Sequence, residues 1–267
     1  MKDLADRVVI VTGGGSGIGR ACALAFAAAG AHVVVADLDE GRATAVAIEA
    51  GGGAVGVACD VGVDGAFEPL RDAALDRFGR VDVVMNNVGV IASGLPEAIP
   101  VEAWRRVIEI NLLSSVRSNL VFVPLLLGQG EGHLVYTASI NPLYPYSYDR
   151  LPYSATKAAV IAMAEGLSLY TRPLGVGVTC VCPGPVRTNI TEQVRTYGDL
   201  LPLRTPGLAL LEPSDVAAQV VDSVLTDRFL VITHDEVRAA LVERAEDPDG
   251  FLRRQVERVR AASEARP

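Results

Sequence analysis

The stretch Thr12-Gly13-Gly14-Gly15-Ser16-Gly17-Ile18-Gly19 decides the reading of this 267-residue chain. An apolar run, residues 7–12, leads into it, and a helical pattern over 17–29 starts inside it. A chain that turns this sharply, with its backbone close to a pyrophosphate, needs residues without a Cβ and without a penalty at positive φ. The helix that follows presents unpaired N–H groups and the positive end of its dipole to the phosphates. A literal G-x-G-x-x-G cannot be laid on these residues; the pattern is T-G-x-x-x-G-x-G. Strand, loop and helix in that order set aside a glycine-rich hairpin or linker, and the lack of a following G-K-[S/T] excludes a P-loop NTPase.

Outward from the loop, short apolar runs alternate with longer helical patterns. Strands are expected at 7–12, 32–36, 54–59, 81–86, 133–137, 177–182 and 229–233. Helices are expected at 17–29, 41–50, 65–78, 101–127, 153–170 and 213–226. The strand runs are Val-rich and continuous, as strands buried on both faces should be. The alternation predicts an α/β fold, a Rossmann-type doubly wound seven-stranded parallel sheet with helices on both faces in a single domain. That domain is expected to span 1–234 and a charged helical tail 235–267. Two long irregular insertions, 141–152 and 186–211, are candidate substrate loops, because such loops inside a compact domain are usually functional.

Half the residues are hydrophobic and 21% are charged, which excludes disorder for the bulk of the chain. A net charge of −8 argues against nucleic acid or an anionic membrane as partner. No apolar run reaches the roughly 18 residues of a membrane span, Arg117 and Asn119 interrupting one of the most hydrophobic segments. The first seven residues carry acids and no apolar signal core, so a cytoplasmic location is expected. Cys22, Cys59, Cys180 and Cys182 have no zinc spacing and read as small core residues in a reducing compartment; the three histidines are scattered, and no metal site is expected. Asp37 ends the second strand, eighteen residues after Gly19. A carboxylate there accepts both ribose hydroxyls of an adenosine and repels a 2′-phosphate, which favours NAD over NADP.

Of 24 basic residues only Lys2 and Lys157 are lysines, and Lys157 falls four residues after Tyr153. One of seven tyrosines would stand there by chance with odds of roughly 7 in 267. On a helix, i and i+4 share a face, so phenol and ammonium can point into one site. A lysine charge ~4 Å from a phenol, at an effective dielectric of ~20, would lower the phenol by roughly three pH units.

These residues resemble the short-chain dehydrogenase/reductase family over roughly 4–227. The matching motifs are Thr12 to Gly19, Asn86-Asn87-Val88-Gly89 after the fourth strand, Asn111 in mid-helix, Ser139 after the fifth strand, Tyr153 to Lys157, and Pro183-Gly184-Pro185-Val186-Arg187-Thr188. The resemblance implies Tyr153 as acid/base and Lys157 as its partner and a ligand of the nicotinamide ribose. It further implies that Ser139 bonds the substrate oxygen and that Asn111 holds a water linking Lys157 to solvent. Gly13, Ser16, Gly17, Ile18 and Gly19 would cradle the cofactor, Asp37 its ribose, and Asp60 and Val61 its adenine. Asn87, Gly89, Pro183 and Gly184 would line the channel, with Val186 and Thr188 orienting the carboxamide.

The function so implied is NAD-dependent interconversion of a secondary alcohol and a ketone. Ile91, Ile140, Leu143, Tyr144, Tyr146, Tyr148, Leu151 and Leu203 are candidate pocket residues and point to a small apolar alcohol or ketone. The alternatives are a 3-oxoacyl-thioester reductase and an NAD-binding protein without turnover; the first usually needs NADPH, and the second typically loses the Tyr or the Lys. The family also implies a homodimer or homotetramer through the helices expected at 101–127 and 153–170. The Tyr- and Pro-rich insertion before Tyr153 and the polar tail in place of an Asp-Gly-Gly ending depart from the family pattern.

Overall fold

A computed structural model describes residues 1, 3–199 and 206–264, with side chains to 261. The seven apolar runs form β1 (Val8–Thr12), β2 (His32–Asp37), β3 (Val55–Ala58), β4 (Val83–Asn86), β6 (Gly132–Thr137), β7 (Val176–Cys182) and β9 (Leu230–Ile232). They make one parallel sheet in the order β3-β2-β1-β4-β6-β7-β9. Two short strands foreseen by no apolar run, β5 (Ala92–Gly94) and β8 (Arg195–Tyr197), pair in parallel as a separate ribbon.

Strand geometry explains the two-sided core. Successive side chains point to opposite faces, so Val8 and Ile10 of β1 enter one layer while Val9 and Val11 enter the other. The first layer is closed by α3 (Glu68–Phe78), α5 (Ser114–Gln129) and α6 (Leu151–Thr171), which contribute Leu70, Phe122, Leu126 and Val160. The second is closed by α1 (Gly17–Ala28), α2 (Glu40–Ala50) and α7 (Pro213–Leu225), which contribute Phe26, Val46 and Val220. Strand order reverses between β1 and β4, and the crevice at their C-terminal ends is where such sheets bind ligands.

The helix expected over 101–127 has three parts: α4 (Val101–Ile108), a π turn (Glu109–Leu113) and α5. These 29 residues are long and apolar enough for a bilayer by length and composition alone, although Arg117 and Asn119 interrupt the apolar run. Here Ser115, Ser118, Phe122 and Leu126 are buried in the protein, as in a core helix. Val116 and Leu120 of α5, and Leu169 and Tyr170 of α6, stay exposed.

The tail is two helices, α8 (Asp235–Glu246) and α9 (Pro248–Glu264), split where Pro248 opens the second. It packs back on the domain: Val237 joins the first core layer and Phe251 is fully buried.

Candidate active site

The crevice is a cleft of about 1020 Å³. At one end the glycine loop leaves β1 and enters α1 at Gly17, with Ser16 in the cap position. The Ser16 hydroxyl makes no capping bond, so the first amides of α1 stay open to the cleft. Gly17 has φ +54°, a conformation that side-chain-bearing residues rarely adopt. A Cβ on Gly19 would lie 2.1 Å from the Gly13 carbonyl oxygen, so only glycine lets helix and loop pack this closely. Asn87 fastens the loop: its N–H donates to Thr12 Oγ1 at 3.1 Å, and its Oδ1 accepts from Thr137 at 3.1 Å.

Asp37 closes this end. Its Oδ2 accepts the Gly15 N–H at 2.9 Å and its Oδ1 the Asp39 N–H at 3.1 Å. Each oxygen keeps a free lone pair, and the carboxylate is held in one orientation. Arg42 lies nearby with its Nε 3.3 Å from Asp39 Oδ2.

At the other end, α6 carries Tyr153 and Lys157 one turn apart with both in the cleft wall. Tyr153 hydrogen-bonds Ser139. Lys157 Nζ donates to the Thr137 carbonyl at 2.6 Å and stands 5.8 Å from the Tyr153 ring centroid. Burial pushes the Tyr153 phenol up, against the Ser139 hydrogen bond and the Arg150 charge, which pull it down; Cys182 adds to the rise. The net lowering expected from Lys157 is therefore not what this pocket gives, because the ring is desolvated. Burial lowers Lys157 itself to about 8.

A profile of the family described as short chain dehydrogenase matches residues 7–198. The chain belongs to the short-chain dehydrogenase/reductase family. It is 35% identical over 250 residues to 1-deoxy-11-beta-hydroxypentalenate dehydrogenase of Streptomyces exfoliatus, covering 91% of this chain and 89% of that one. To L-fucose dehydrogenase of Bos taurus it is 35% identical over 225 residues, 81% and 82% of the two chains. Among solved structures, a short-chain dehydrogenase/reductase from Burkholderia phymatum in complex with NAD matches with a TM-score of 0.83. It is 32% identical, over 93% of this chain and 96% of that one. This chain is thus an oxidoreductase acting on CH–OH groups.

Most residues singled out in the sequence meet in this dehydrogenase's cleft. Gly13, Ser16, Gly17, Ile18, Asp37, Asp60, Val61, Asn87 and Gly89 line it, as do Ser139, Tyr153, Lys157, Pro183, Gly184, Val186 and Thr188. Gly19 and Asn111 lie behind it. Asn111 sits in the π turn, where its Oδ1 accepts the Val90 N–H at 2.8 Å and its Nδ2 donates to Val90 O at 3.0 Å and Thr156 Oγ1 at 3.2 Å.

Of the expected pocket residues, Ile91, Ile140 and Tyr146 line the cleft, whereas Leu143, Tyr144, Tyr148 and Leu151 do not. Leu203 lies outside the described residues. Tyr144 turns toward the tail: its hydroxyl accepts from Arg258 at 2.9 Å and its ring meets Phe251 edge-on at 6.4 Å. Arg244 donates to the Pro142 carbonyl at 2.6 Å. The sequence reading missed four arginines in the cleft wall, Arg42, Arg106, Arg150 and Arg195. Their signal was absent because an arginine at any one of 22 positions looks alike until the chain folds.

Proposed function

We propose that this chain is an NAD-dependent dehydrogenase interconverting a secondary alcohol and its ketone, with Tyr153 as acid/base. The observation that carries this reading is the convergence of Tyr153, Ser139 and Lys157 on one cleft whose far end is the Gly13–Gly19 loop and Asp37. The open amides of α1, the Cβ-free approach at Gly19 and the anchored Asp37 carboxylate fit a dinucleotide. Asp37 faces the ribose and repels a 2′-phosphate, while Arg42, the basic side chain near it, is paired with Asp39. NAD, when bound, exchanges a hydride with the carbinol carbon.

In oxidation the Tyr153 phenolate oxygen takes the alcohol's hydroxyl proton while Ser139 holds the same substrate oxygen. In reduction the phenol returns that proton. Lys157 binds the nicotinamide ribose and keeps its ammonium beside the ring. Gly13, Ser16, Gly17, Ile18 and Gly19 hold the pyrophosphate, and Asp60 and Val61 flank the adenine. Asn87, Gly89, Pro183, Gly184, Val186 and Thr188 shape the nicotinamide channel. Asn111 acts by pinning Val90, and so the segment beside Lys157. We read residues 1–234 as the catalytic unit and 235–267 as its tail, in which Arg244 and Arg258 hold the substrate loop at Pro142 and Tyr144.

Ile91, Ile140 and Tyr146 favour an apolar skeleton. A second reading adds a carboxylate to that skeleton. Arg106 and Arg195 line the cleft without an ion-pair partner among the described residues, and the acids lining it, Asp37, Asp39 and Asp60, belong to the adenosine end. The exposed Leu120, Leu169 and Tyr170 support association through α5 and α6 into a homodimer or homotetramer. Four free, buried thiols accord with a cytoplasmic setting.

The test is NAD reduction over a panel of steroid, terpene, cyclic and aliphatic secondary alcohols, each hydroxy acid set beside its methyl ester. Turnover of an apolar alcohol with NAD supports the reading, and preference for the acid over its ester selects the second. Activity confined to acetoacetyl thioesters would replace it with the acyl-reductase alternative, and binding of NAD with no turnover of any panel member would replace it with a non-catalytic one.

A further inference from the structure

Arg150 is the cap residue of α6, three positions before Tyr153, as Lys157 is four positions after it. Arg150 itself stands outside the helical conformation, with φ −149°, but its carbonyl accepts the Ser154 N–H at 3.1 Å, which keeps it within one turn of Tyr153, and Arg150, Tyr153 and Lys157 all line the cleft. Arg150 is only 8% exposed. Its Nε and one Nη donate to the two Asp149 carboxylate oxygens at 2.8 and 3.3 Å, and its Cζ stands 5.7 Å from the Tyr146 ring centroid. Asp149, 1% exposed, is tied in turn to the β5 ribbon, its carbonyl accepting the Gly94 N–H at 2.9 Å. The guanidinium is thus fixed in the cleft wall beside the acid/base rather than swinging from the surface.

We propose that Arg150 is a positioning residue for Tyr153, a permanently charged group that Asp149 and Tyr146 lock in place to stabilise the phenolate. The proposal rests on the reading of Tyr153 as acid/base. The groups around that phenol are Ser139 after β6, Cys182 on β7, Lys157 on α6, and Tyr146 and Arg150 on the preceding insertion. Of the two cations, Lys157 loses charge above about 8, within the range where a phenol must ionise. A guanidinium keeps its charge throughout. Burial works against the charge on Arg150, and Asp149 more than offsets it. Both neighbouring phenols, Tyr146 and Tyr153, are drawn down by Arg150, whereas Asp149 drives Tyr146 up.

A guanidinium lowers a phenol beside it and a carboxylate raises one, as the pair does to Tyr146, so its two members are expected to move Tyr153 with opposite sign, which a merely structural role would not do. The experiment is a pH titration of 13Cζ-labelled tyrosines in the NAD-loaded protein by NMR, the Tyr153 resonance being assigned by its loss in Tyr153→Phe. Arg150→Gln should raise the Tyr153 titration by about one pH unit, the size expected of a charge within ~10 Å at an effective dielectric of ~20. Asp149→Asn should lower it. Because Arg150→Gln strands a buried carboxylate, the double variant Arg150→Gln/Asp149→Asn guards against misfolding and should also titrate above wild type. Shifts of the same sign in the two single variants, or no shift in the double, would overturn the proposal. This readout needs no substrate, so a failed alcohol screen would sink the proposed activity without deciding this point.

Discussion

Two clusters of arginine and carboxylate sit at opposite edges of the same sheet. Where the strands begin, the Asp82 carboxylate is fully buried, accepts the Val8 N–H at 2.9 Å, and pairs with Arg7 at 2.8 Å and Arg80 at 2.6 Å. Glu131 completes the group, 2.7 Å from Arg7 and 2.6 Å from Arg80. Two acids and two bases neutralise one another and tie the starts of β1, β4 and β6 together. Where the strands end, Arg150 and Asp149 pair beside a phenol and a cleft. Burial alone raises the Asp82 carboxyl, yet hydrogen bonds from Arg80, Val8 N–H and Arg7 outweigh it and hold it below its usual range. Similar chemistry secures the framework at one edge and biases a proton at the other. What separates them is whether a titrating group and empty volume lie next door.

The sharpest way to break this contrast is at Tyr153. Tyr153→Phe should cut kcat by ~100- to 10,000-fold, the usual worth of a positioned acid/base, while NAD affinity and unfolding midpoint hardly move. Steady-state kinetics, NADH fluorescence and urea melts read the three quantities; a variant retaining more than about a tenth of wild-type kcat removes Tyr153 from the chemistry. Lys157→Ala should cost both turnover and NAD affinity, and Lys157→Arg should restore little of either, since a planar fork does not replace a point charge.

At the opposite edge Asp82→Asn should do the reverse. Breaking a buried pair costs about 3 kcal/mol of stability, visible in the urea midpoint, with kcat per folded molecule unchanged. A matching loss of kcat would mean that the edges are coupled. Asp37→Ala should weaken NAD by about tenfold and narrow the NAD-to-NADP ratio of kcat/KM, because one charged acceptor is worth ~1.5–3 kcal/mol. An unchanged ratio would remove Asp37 as the discriminator.

The effect of His133, at the start of β6, is the most gradual, spread over a range of pH. Burial lowers the imidazole to about 3, and its Nε2 lies 2.8 Å from Thr179 Oγ1. The unfolded chain takes up a proton near 6.5 and the folded one does not, so stability is complete above that pH and falls as pH drops toward 3. The slope is up to about 1.4 kcal/mol per pH unit. Urea melts of His133→Gln should show a flatter profile across that window.

The seven sheet strands were legible because each is a continuous apolar run, and the glycine loop, Asp37, Tyr153 and Lys157 because their meaning lies in local spacing. What was missed is carried by contacts far apart in sequence. Arg244 reaches Pro142 across 102 positions and Arg258 reaches Tyr144 across 114, so a tail that reads as a polar helix proves to be two helices that turn Tyr144 away from the cleft. The β5–β8 ribbon joins Ala92 to Arg195 with three-residue strands, too short for periodicity to register. Lys157 was expected to lower the phenol on distance alone. Desolvation, which depends on everything packed around the ring, reversed the sign.

The π turn at Glu109–Leu113 works as a phase shifter in one 29-residue rod. Ahead of it, Ala103 and Val107 of α4 join Ala92 and Ile99 around the ribbon; behind it, Phe122 and Leu126 of α5 face the sheet. A π turn holds one residue more than the α turn it replaces. Rewinding all five residues of 109–113 as ordinary α-helix would therefore turn α4 relative to α5. The packing of the ribbon and the aim of Asn111 would then be lost together, although every hydrogen bond of the helix could form. Winding in this segment therefore constrains the protein as side-chain identity does elsewhere: a substitution changes contacts one at a time, whereas a turn rewound from π to α re-aims half the rod.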